Sequence, residues 1–314
     1  MLTRRHIRVK VMQSVYAMLQ SQSGDLDKEE KFLNASIADM YNLYLILLSI
    51  LSEIRKKAEE RIFISRKKYL ATSEEKNPNV KFINNRLLQL LANNQLLKDE
   101  LERRKINFWE NDDEYVNIIL QDIYESDIYK KYMADKNSSF SDDKDFILDI
   151  YSHVIATNEK LYDYLEDKKL TWLDDLPLIN TMVLKVFKKT KPSSSDDYFM
   201  PKLYKDQEDK NFALQLLRKT VLNEEKLQNE IDGKTPNWDT ERIAEIDSVL
   251  LKMAICEFLH FPSIPVKVTI NEYLEIAKEY STPKSSIFIN GILDKLVKEY
   301  EDKKMLNKSG RGLM

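Results

Sequence analysis

Apolar residues recur at helical spacing near the C-terminus and predict three amphipathic helices separated by two short breaks. The first helix, over 241–260, carries its apolar stripe at Ile243, Ile246, Leu250, Met253 and Ala254. Pro262 and Pro265 end this helix, because proline has no N–H to donate and disfavours helical backbone in the residue before it. We expect the second helix over about 268–280 and the third over about 284–300.

The same spacing predicts helices along the remainder of the chain. A first helix over 3–20 has an apolar stripe at Ile7, Val11, Val15 and Met18. A longer helix begins near Asp27, residues 82–133 are predicted to form two more, and the polar run over 135–143 is predicted to be a loop. Because only five glycines occur in 314 residues and few runs alternate, we predict an all-α fold with well above the average one third of helix.

Residues 146–187 repeat part of the pattern found over 212–254. The matching positions are Phe146 with Phe212, Leu148 with Leu214, Glu159-Lys160-Leu161 with Glu225-Lys226-Leu227, and Trp172 with Trp238. We interpret the match as a degenerate duplication of a helix pair, with shared helical periodicity as the alternative explanation. The polar run over 188–197 is the best candidate for a linker.

Charge is distributed unevenly along the chain. The totals of 49 basic and 52 acidic side chains give a net charge of −3 and no overall reason to expect nucleic acid. Residues 1–24, in contrast, contain Arg4, Arg5, Arg8 and Lys10 and no acidic residue. The helix dipole disfavours cations at a helix N-terminus, so this placement favours an anionic ligand, and phosphate is the obvious candidate. A frayed, solvated basic terminus is the alternative.

The sequence offers only weak candidates for a catalytic or metal site. Glu257 and His260 have the E-x-x-H spacing of di-iron helical bundles, but neither His6 nor His153 provides a second such pair. A glycine-rich phosphate loop and the G-x-S-x-G and H-E-x-x-H motifs are all absent from the sequence. We therefore predict a protein that is not an enzyme, with no catalytic residues, metal, cofactor or small-molecule substrate.

Three features bear on where the protein resides. The single cysteine, Cys256, rules out an internal disulfide framework, fits the reducing cytosol, and is expected to be a buried hydrophobic residue. The first residues lack the apolar segment of a secretory signal, and the apolar run over 43–51 is too short to cross a bilayer. These features predict a cytoplasmic protein without a membrane partner.

Both ends of the chain carry short motifs that occur together in one family. The N-terminal motif is Arg4-Arg5-His6-Ile7-Arg8, followed by Gln13, Val15 and Tyr16. The C-terminal motifs are Ile246-Asp247, Ile270-Asn271-Glu272, Glu275-Ile276-Ala277-Lys278 and Phe288-Ile289-Asn290-Gly291-Ile292-Leu293-Asp294. In this order and spacing they resemble the NusB family of bacterial transcription antitermination factors. The resemblance covers about 4–20 and 212–297, and ordinary members of the family are less than half as long.

The resemblance implies a NusB-like double helical bundle with an additional helical insertion. We predict a first helix with its arginine-rich start over 1–22, an insertion over 23–197, a helical core over 198–300 and a flexible tail over 301–314. For this fold to form, the first helix must return in space to pack on the C-terminal part. Gly291 is predicted to let two helices approach each other closely.

The resemblance also implies a ligand and partners. These are boxA-like single-stranded RNA of nascent ribosomal RNA transcripts, the ribosomal protein NusE and the elongating RNA polymerase complex. The implied RNA-binding residues are Arg4, Arg5, His6, Arg8, Lys284, Ser285, Phe288 and Asn290, and the implied NusE contacts are Tyr16 and Asp247. His6 is arginine in many relatives, and a mostly neutral imidazole weakens the electrostatic attraction to RNA. A core role for Phe288 and a buried link between helices for Asn290 are the alternatives.

Two other functions fit parts of the pattern. The first is a helical protein–protein interaction scaffold without a direct RNA role, in which the insertion is the active part. The second is an RNA-binding accessory protein related to the domain that precedes rRNA cytosine methyltransferases. We expect the second to fit less well, because only 20 of the 314 residues follow Asp294.

Overall fold

The structure, a computed structural model, describes residues 1–22, 24–136, 139–232, 234 and 244–309. The chain is 77% helical, and no strand occurs in the part that is described, which confirms the predicted all-α fold. Trp238, Ile243, Gly310 and Gly312 lie outside the described residues, as does the end of the predicted tail over 310–314.

The helices divide between two compact units. The first unit contains Met1–Ile37 and Leu203–Met314, and the second contains Ala38–Lys202. The helices that begin in the first unit are α1 (Arg4–Ser21), α2 (Leu26–Arg66), α12 (Gln207–Leu222), α13 (Glu224–Asp232), α14 (Glu245–His260), α15 (Val266–Tyr280) and α16 (Ser285–Asp302). Those wholly in the second are α3 (Ser73–Lys76), α4 (Arg86–Asn93), α5 (Gln95–Arg103), α6 (Phe108–Asn111), α7 (Asp113–Glu125), α8 (Asp127–Ala134), α9 (Phe140–Ile150), α10 (Glu159–Lys168) and α11 (Trp172–Lys189).

Helix α14 forms the centre of the first unit. Helices α1, α12, α13, α15 and α16 all pack against it. The sequence predicts one apolar stripe on this helix, but Val249, Leu251 and Ile255 are as fully buried as Leu250 and Met253. A helix that is apolar on all sides is buried on all sides, because any exposed face would leave apolar surface in water. Cys256 is also fully buried, and burial raises the pKa of its thiol to about 12.

The C-terminal helices begin and end near the predicted positions, but the predicted role of one glycine is wrong. Helix α15 begins at Val266, directly after Pro265, and α16 begins at Ser285. Gly291 is exposed on α16, and a Cβ atom placed there would meet nothing within 4 Å. Close approach of another helix therefore does not explain this glycine, and nothing else in the structure does.

The second unit is built around the part of α2 that follows Ala38. Residues 43–51 are buried, as predicted for a core helix, and the Trp109 indole donates to the Ile46 carbonyl over 3.1 Å. The two helices predicted over 82–133 are in fact several shorter ones. Asn94 and Ser126 divide helices in this region, because each side-chain oxygen accepts from a backbone N–H at a new helix start.

The predicted loop over 135–143 is shorter than expected. Ser139 caps α9, its hydroxyl accepting from the backbone N–H of Asp142, so the helix already begins at Phe140. Asp143 is buried there and accepts a 2.7 Å hydrogen bond from Tyr132. Polar composition alone indicates a loop, whereas Ser139 and Asp142 form a helix start by capping each other's backbone N–H groups.

The two stretches with matching sequence patterns have the same order of helices. Helices α9, α10 and α11 occupy the first stretch, and α12, α13 and α14 occupy the second. Phe146 and Phe212 are both buried, and Leu148 and Leu214 are both half-buried. A duplication therefore stays our interpretation, since similar burial also follows from shared helical periodicity.

Helix α2 contains a window of 18 residues that is long and apolar enough to cross a membrane, with a mean hydropathy of 1.4. Within the fold, 72% of this window is buried. The same test is passed by the core helices of soluble proteins, so it is weak evidence for a membrane span.

Candidate nucleic-acid interface

The arginine-rich motif occupies the first two turns of α1, and each of its arginines has an acidic partner from another helix. Thr3 is the N-cap residue, and the first turn of α1 contains no acidic residue. The carboxylates that offset the unfavourable helix dipole come from α12, α14 and α15 instead. The motif is therefore an ordered part of the first unit and not a frayed terminus.

Arg8 lies in the interior of the first unit. Its side chain is 2% exposed, and its guanidinium donates to both carboxylate oxygens of Glu257 over 2.8 and 2.9 Å. Thr269 donates to the same carboxylate over 2.6 Å, and the Tyr273 hydroxyl lies 3.4 Å away. Burial alone would lower the pKa of Arg8, but the charge and hydrogen bonds of Glu257 raise it, so the guanidinium stays charged. Because its side chain is almost fully buried and already paired with Glu257, Arg8 does not fit the predicted role of an RNA contact.

Arg4 and Arg5 are the accessible arginines of the motif. Arg4 donates to Asp209 and Glu208 over 2.8 and 2.7 Å, and Arg5 donates to both oxygens of Glu272 over 3.1 and 2.8 Å. Their side chains are 30% and 40% exposed. Partly exposed ion pairs of this kind contribute only about 0–1 kcal/mol, so an incoming anion can compete for either arginine.

These arginines border an open cleft of about 550 Å³. One wall consists of residues 3–6 and the largely buried Arg8, and the other of residues 263–265, with Val268 and Glu272. Two prolines around Ser263 and Ile264 keep this second wall non-helical between α14 and α15. The cleft therefore combines two accessible guanidinium groups with an apolar rim.

His6 is held in its neutral form at the edge of this cleft. Its Nδ1 lies 3.1 Å from the backbone nitrogen of Thr3, which donates to it. Burial, together with the positive charge of Arg5, lowers the pKa of His6 to about 4, although Glu272 acts in the opposite direction. This agrees with the expectation that His6 adds little positive charge at pH 7.

We expect His6 to make the fold sensitive to acid. Its folded-state pKa of about 4 is below the ordinary value of 6.5, so the unfolded chain binds its proton first as the pH falls. The stabilising contribution is complete above pH 6.5 and decreases as the pH falls towards 4. The free energy of unfolding, measured in urea, should therefore fall between pH 7 and pH 5 by less in His6→Gln than in the wild type. Glutamine keeps an acceptor for the backbone N–H of Thr3 but does not titrate. Equal losses in the two proteins would contradict this assignment.

The turn between α15 and α16 forms around a buried carboxylate. Asp247, 5% exposed, accepts hydrogen bonds from the hydroxyls of Ser281 and Ser285 over 2.6 and 2.7 Å. Ser285 is itself 2% exposed. The predicted contacts of Asp247 with NusE and of Ser285 with RNA do not fit these buried positions. Both residues instead fix the turn that carries Lys284.

Lys284 is the accessible cation of this turn. Its side chain is exposed and makes no ion pair with any residue that the structure describes. It immediately precedes α16, whose first backbone N–H groups favour an anion. A free ammonium group at this place is suited to a phosphate.

The remaining predicted site residues lie at the surface or half-buried. Phe288 and Tyr16 are half-buried, on α16 and α1. Asn290 donates to Asp294 of the same helix over 3.0 Å, so it does not link two helices as one alternative predicted. Both Phe288 and Asn290 are within two turns of Lys284 along α16.

The carboxylates that organise the motif were missed by the sequence analysis. Glu257 could have been found from the sequence, since a single acidic residue within the apolar run of α14 requires a buried partner. The Glu257 carboxylate already accepts hydrogen bonds from Arg8, Thr269 and Tyr273, so its place in the E-x-x-H pair is explained without a metal ligand role. Across the described ranges, no group of three or more His, Cys, Asp or Glu side chains is placed to hold a metal ion.

Comparison with known proteins gives the same family at the level of sequence. The NusB family model matches residues 180–298. A transcription antitermination protein NusB from Salinibacter ruber is 43% identical over 112 residues, which are 36% of this chain and 70% of that protein. Proteins of the same name from Chloroherpeton thalassium and Clostridium kluyveri are 44% and 43% identical, with 33% and 31% of this chain matching 50% and 62% of theirs. No solved structure gives a significant match.

These relatives are named as antitermination proteins and not as enzymes, which confirms the prediction of a non-enzymatic protein. The matched region contains α12 to α15 and most of α16, and hence Glu257, Glu272 and the Lys284 turn. With a relative matched over most of its length at 43% identity, this chain belongs to the NusB family of transcription antitermination factors.

Proposed function

We propose that this protein acts in transcription antitermination in the cytoplasm by binding boxA-like single-stranded RNA of nascent ribosomal RNA transcripts. In this proposal it binds together with ribosomal protein NusE and joins the elongating RNA polymerase complex. The observation that carries the proposal is the cleft of about 550 Å³ bordered by Arg4 and Arg5 in a member of the NusB family. Arginine recognises phosphate through bidentate hydrogen bonds, so this cleft is suited to an RNA backbone.

The proposed RNA surface extends along α15 from Arg5 to Lys284. Arg5 pairs with Glu272, and eight residues of helix lead from there to Tyr280 at the end of α15, a distance of about 12 Å. Lys284 follows in the next turn. Phe288 and Asn290 then provide an aromatic ring and an amide on the adjoining helix, which are groups that contact unstacked bases.

Arg5 can exchange its carboxylate partner for a phosphate without leaving that carboxylate far from positive charge. When Arg5 turns to a phosphate, Glu272 keeps a positive charge nearby, because Nη1 of Arg8 lies 3.6 Å from its carboxylate. Arg8 thus acts as a positioning residue that holds α1 on α14 and α15. In this arrangement Arg4, Arg5 and Lys284 contact phosphates, and Arg8 supports them through its ion pair with Glu257.

Of the two residues expected to contact NusE, we keep Tyr16, so the proposed contact lies on α1. Tyr16 is half-buried and presents an aromatic ring with a hydroxyl, a combination common in protein interfaces. The apolar end of the same helix borders a second cleft of about 310 Å³ with Val15, Leu19 and Val221 among its lining residues. Asp247 contributes to the partner face only by shaping the turn that it holds.

A filter-binding titration with boxA-like RNA, with and without NusE and at two salt concentrations, tests the RNA surface. We expect Arg4→Ala/Arg5→Ala/Lys284→Ala to bind about tenfold or more weakly. The salt dependence should also become shallower, by about 0.7 in log–log slope for each phosphate that the variant no longer binds. The matched control is Lys31→Ala/Lys226→Ala/Lys298→Ala, which removes the same charge from exposed positions of the first unit. If both variants bind with the wild-type affinity and slope, the proposed surface is wrong.

A further inference from the structure

The end of α2 and the turn that follows it expose an unusual set of apolar side chains. Phe63 and Ile64 in the last helical turn are 57% and 62% exposed, and Tyr69 and Leu70 in the following turn are 99% and 85% exposed. All four belong to the second unit. Together with Arg66 and Lys67 they form what we call the tip surface.

The turn that carries Tyr69 and Leu70 is closed by a backbone hydrogen bond. The N–H of Ala71 donates to the Lys68 carbonyl over 3.1 Å, which places Tyr69 and Leu70 at the two central positions of a tight turn. Lys68 also pairs with Glu75 over 2.7 Å, and Ala71 is buried. Glycine, proline, asparagine and aspartate are the usual residues at such positions. Neither Tyr69 nor Leu70 is needed for the turn, and their exposure places apolar surface in water.

The tip surface also carries positive charge that no carboxylate neutralises. No acidic residue occurs between Arg61 and Glu74, and neither Arg66 nor Lys67 forms an ion pair with a described residue. The Lys67 ammonium lies 3.9 Å from the centre of the Phe63 ring. On the first unit, in contrast, Arg4, Arg5 and Arg8 all have carboxylate partners. The tip surface therefore combines exposed aromatic rings with cations that have no carboxylate partner among the described residues.

We propose that the tip surface is a second contact for single-stranded RNA, with the Tyr69 and Phe63 rings stacking on bases and Arg66 and Lys67 binding phosphates. Proteins that bind single strands without sequence preference combine these two kinds of group, because every base has an aromatic face and every nucleotide a phosphate. An anionic membrane would need a longer apolar helix face. That face does not exist here, because Ile54 and Ala58 of α2 are buried in the core.

The inference rests on the proposed RNA-binding function, but its test does not depend on the arginine motif. The probe is an oligouridylate of about 20 nucleotides, long enough for a typical single-strand binding site, titrated against the full chain. We expect Phe63→Ala/Tyr69→Ala to weaken binding at least about fivefold, the loss expected from removing even one stacked base. Tyr69→Phe keeps the ring and should bind like the wild type. Phe32→Ala, which removes another exposed aromatic ring, is the matched control.

Charge and location are tested in the same titration. Arg66→Gln/Lys67→Gln should lower both affinity and salt dependence, whereas Lys160→Gln/Lys185→Gln, at exposed positions of the second unit, should not. Photocrosslinking with 4-thiouridine should attach the RNA to the peptide that contains Tyr69. Because all these side chains are exposed, the thermal unfolding of the variants should match that of the wild type.

The outcomes separate this inference from the proposed function. If Arg4→Ala/Arg5→Ala/Lys284→Ala still binds oligouridylate and Tyr69 still matters, the tip surface stands whatever happens to boxA binding. If wild type and Phe63→Ala/Tyr69→Ala bind oligouridylate equally, or neither binds it, the inference is overturned while the boxA proposal is untouched. Binding to vesicles that contain anionic lipid is measured separately for the same proteins. Loss of vesicle binding without loss of RNA binding in Phe63→Ala/Tyr69→Ala would also overturn the inference and assign the tip surface to membranes.

Discussion

Arg8→Ala is expected to destabilise the first unit by about 3–5 kcal/mol, the usual cost of leaving one partner of a buried ion pair uncompensated. Glu257 is fully buried, and without Arg8 its carboxylate keeps hydrogen bonds only from Thr269 and, more distantly, Tyr273. Because the chain has two units, the change should be measured by hydrogen exchange of peptides from α1 and α14, where local opening is observed directly. Exchange in the second unit should stay unchanged.

Two further variants show whether the loss comes from the buried charge. Arg5→Ala, in the same helix but partly exposed, should cost less than about 1 kcal/mol. In Arg8→Met/Glu257→Gln the charge is removed from both partners while an acceptor for Thr269 remains, so much of the stability should return. If Arg8→Ala is no more destabilising than Arg5→Ala, the ion pair is not the link that holds α1 in place.

Asp247→Ala is expected to cost about 2–3 kcal/mol in the local stability of the turn that carries Lys284. Each hydrogen bond to a charged group contributes about 1.5–3 kcal/mol, and Asp247 accepts one from Ser281 and one from Ser285. The removal of a buried charge offsets part of the loss. Hydrogen exchange over 281–290 should therefore become faster, and RNA binding through Lys284 should weaken although Asp247 itself touches no RNA.

The matched control for this variant is Asp294→Ala. Asp294 is exposed on α16 and accepts a single bond from Asn290, so its removal should change exchange over 281–290 very little. Addition of NusE separates the two possible roles of Asp247. If Asp247→Ala binds RNA with wild-type affinity in the absence of NusE but no longer binds NusE, Asp247 contacts that partner directly. This result would contradict the role that we derive from its buried position.

The fold class could be predicted from the sequence because helical periodicity and the lack of glycine are local properties. The positions of α15 and α16 followed from Pro265 and from the 281–283 break for the same reason. The division of 82–133 into short helices was missed. It depends on residues such as Asn94 and Ser126, whose capping bonds cannot be told from ordinary polar positions by composition.

The candidate site was predictable in position but not in accessibility. The family resemblance identified Arg4, Arg5, Arg8, Asp247 and Lys284, yet sequence spacing does not say which of them faces water. Arg8 lies one turn after Arg4 on the same side of α1, and only the packing of α14 and α15 buries one and exposes the other. The partners that decide this are more than 200 residues away, with separations of 205 for Arg4 and Asp209 and 249 for Arg8 and Glu257.

These separations have a consequence for synthesis on the ribosome. At about 5–20 residues per second, roughly 10 to 50 seconds pass between the appearance of Arg8 and that of Glu257. For most of this interval Ile7, Val11, Val15 and Met18 lack the helices that pack on α1, because α12, α14 and α15 all lie beyond residue 206. The second unit, contiguous from Ala38 to Lys202, is complete earlier and is free to fold first. The nascent first helix is therefore a segment that chaperones would be expected to recognise.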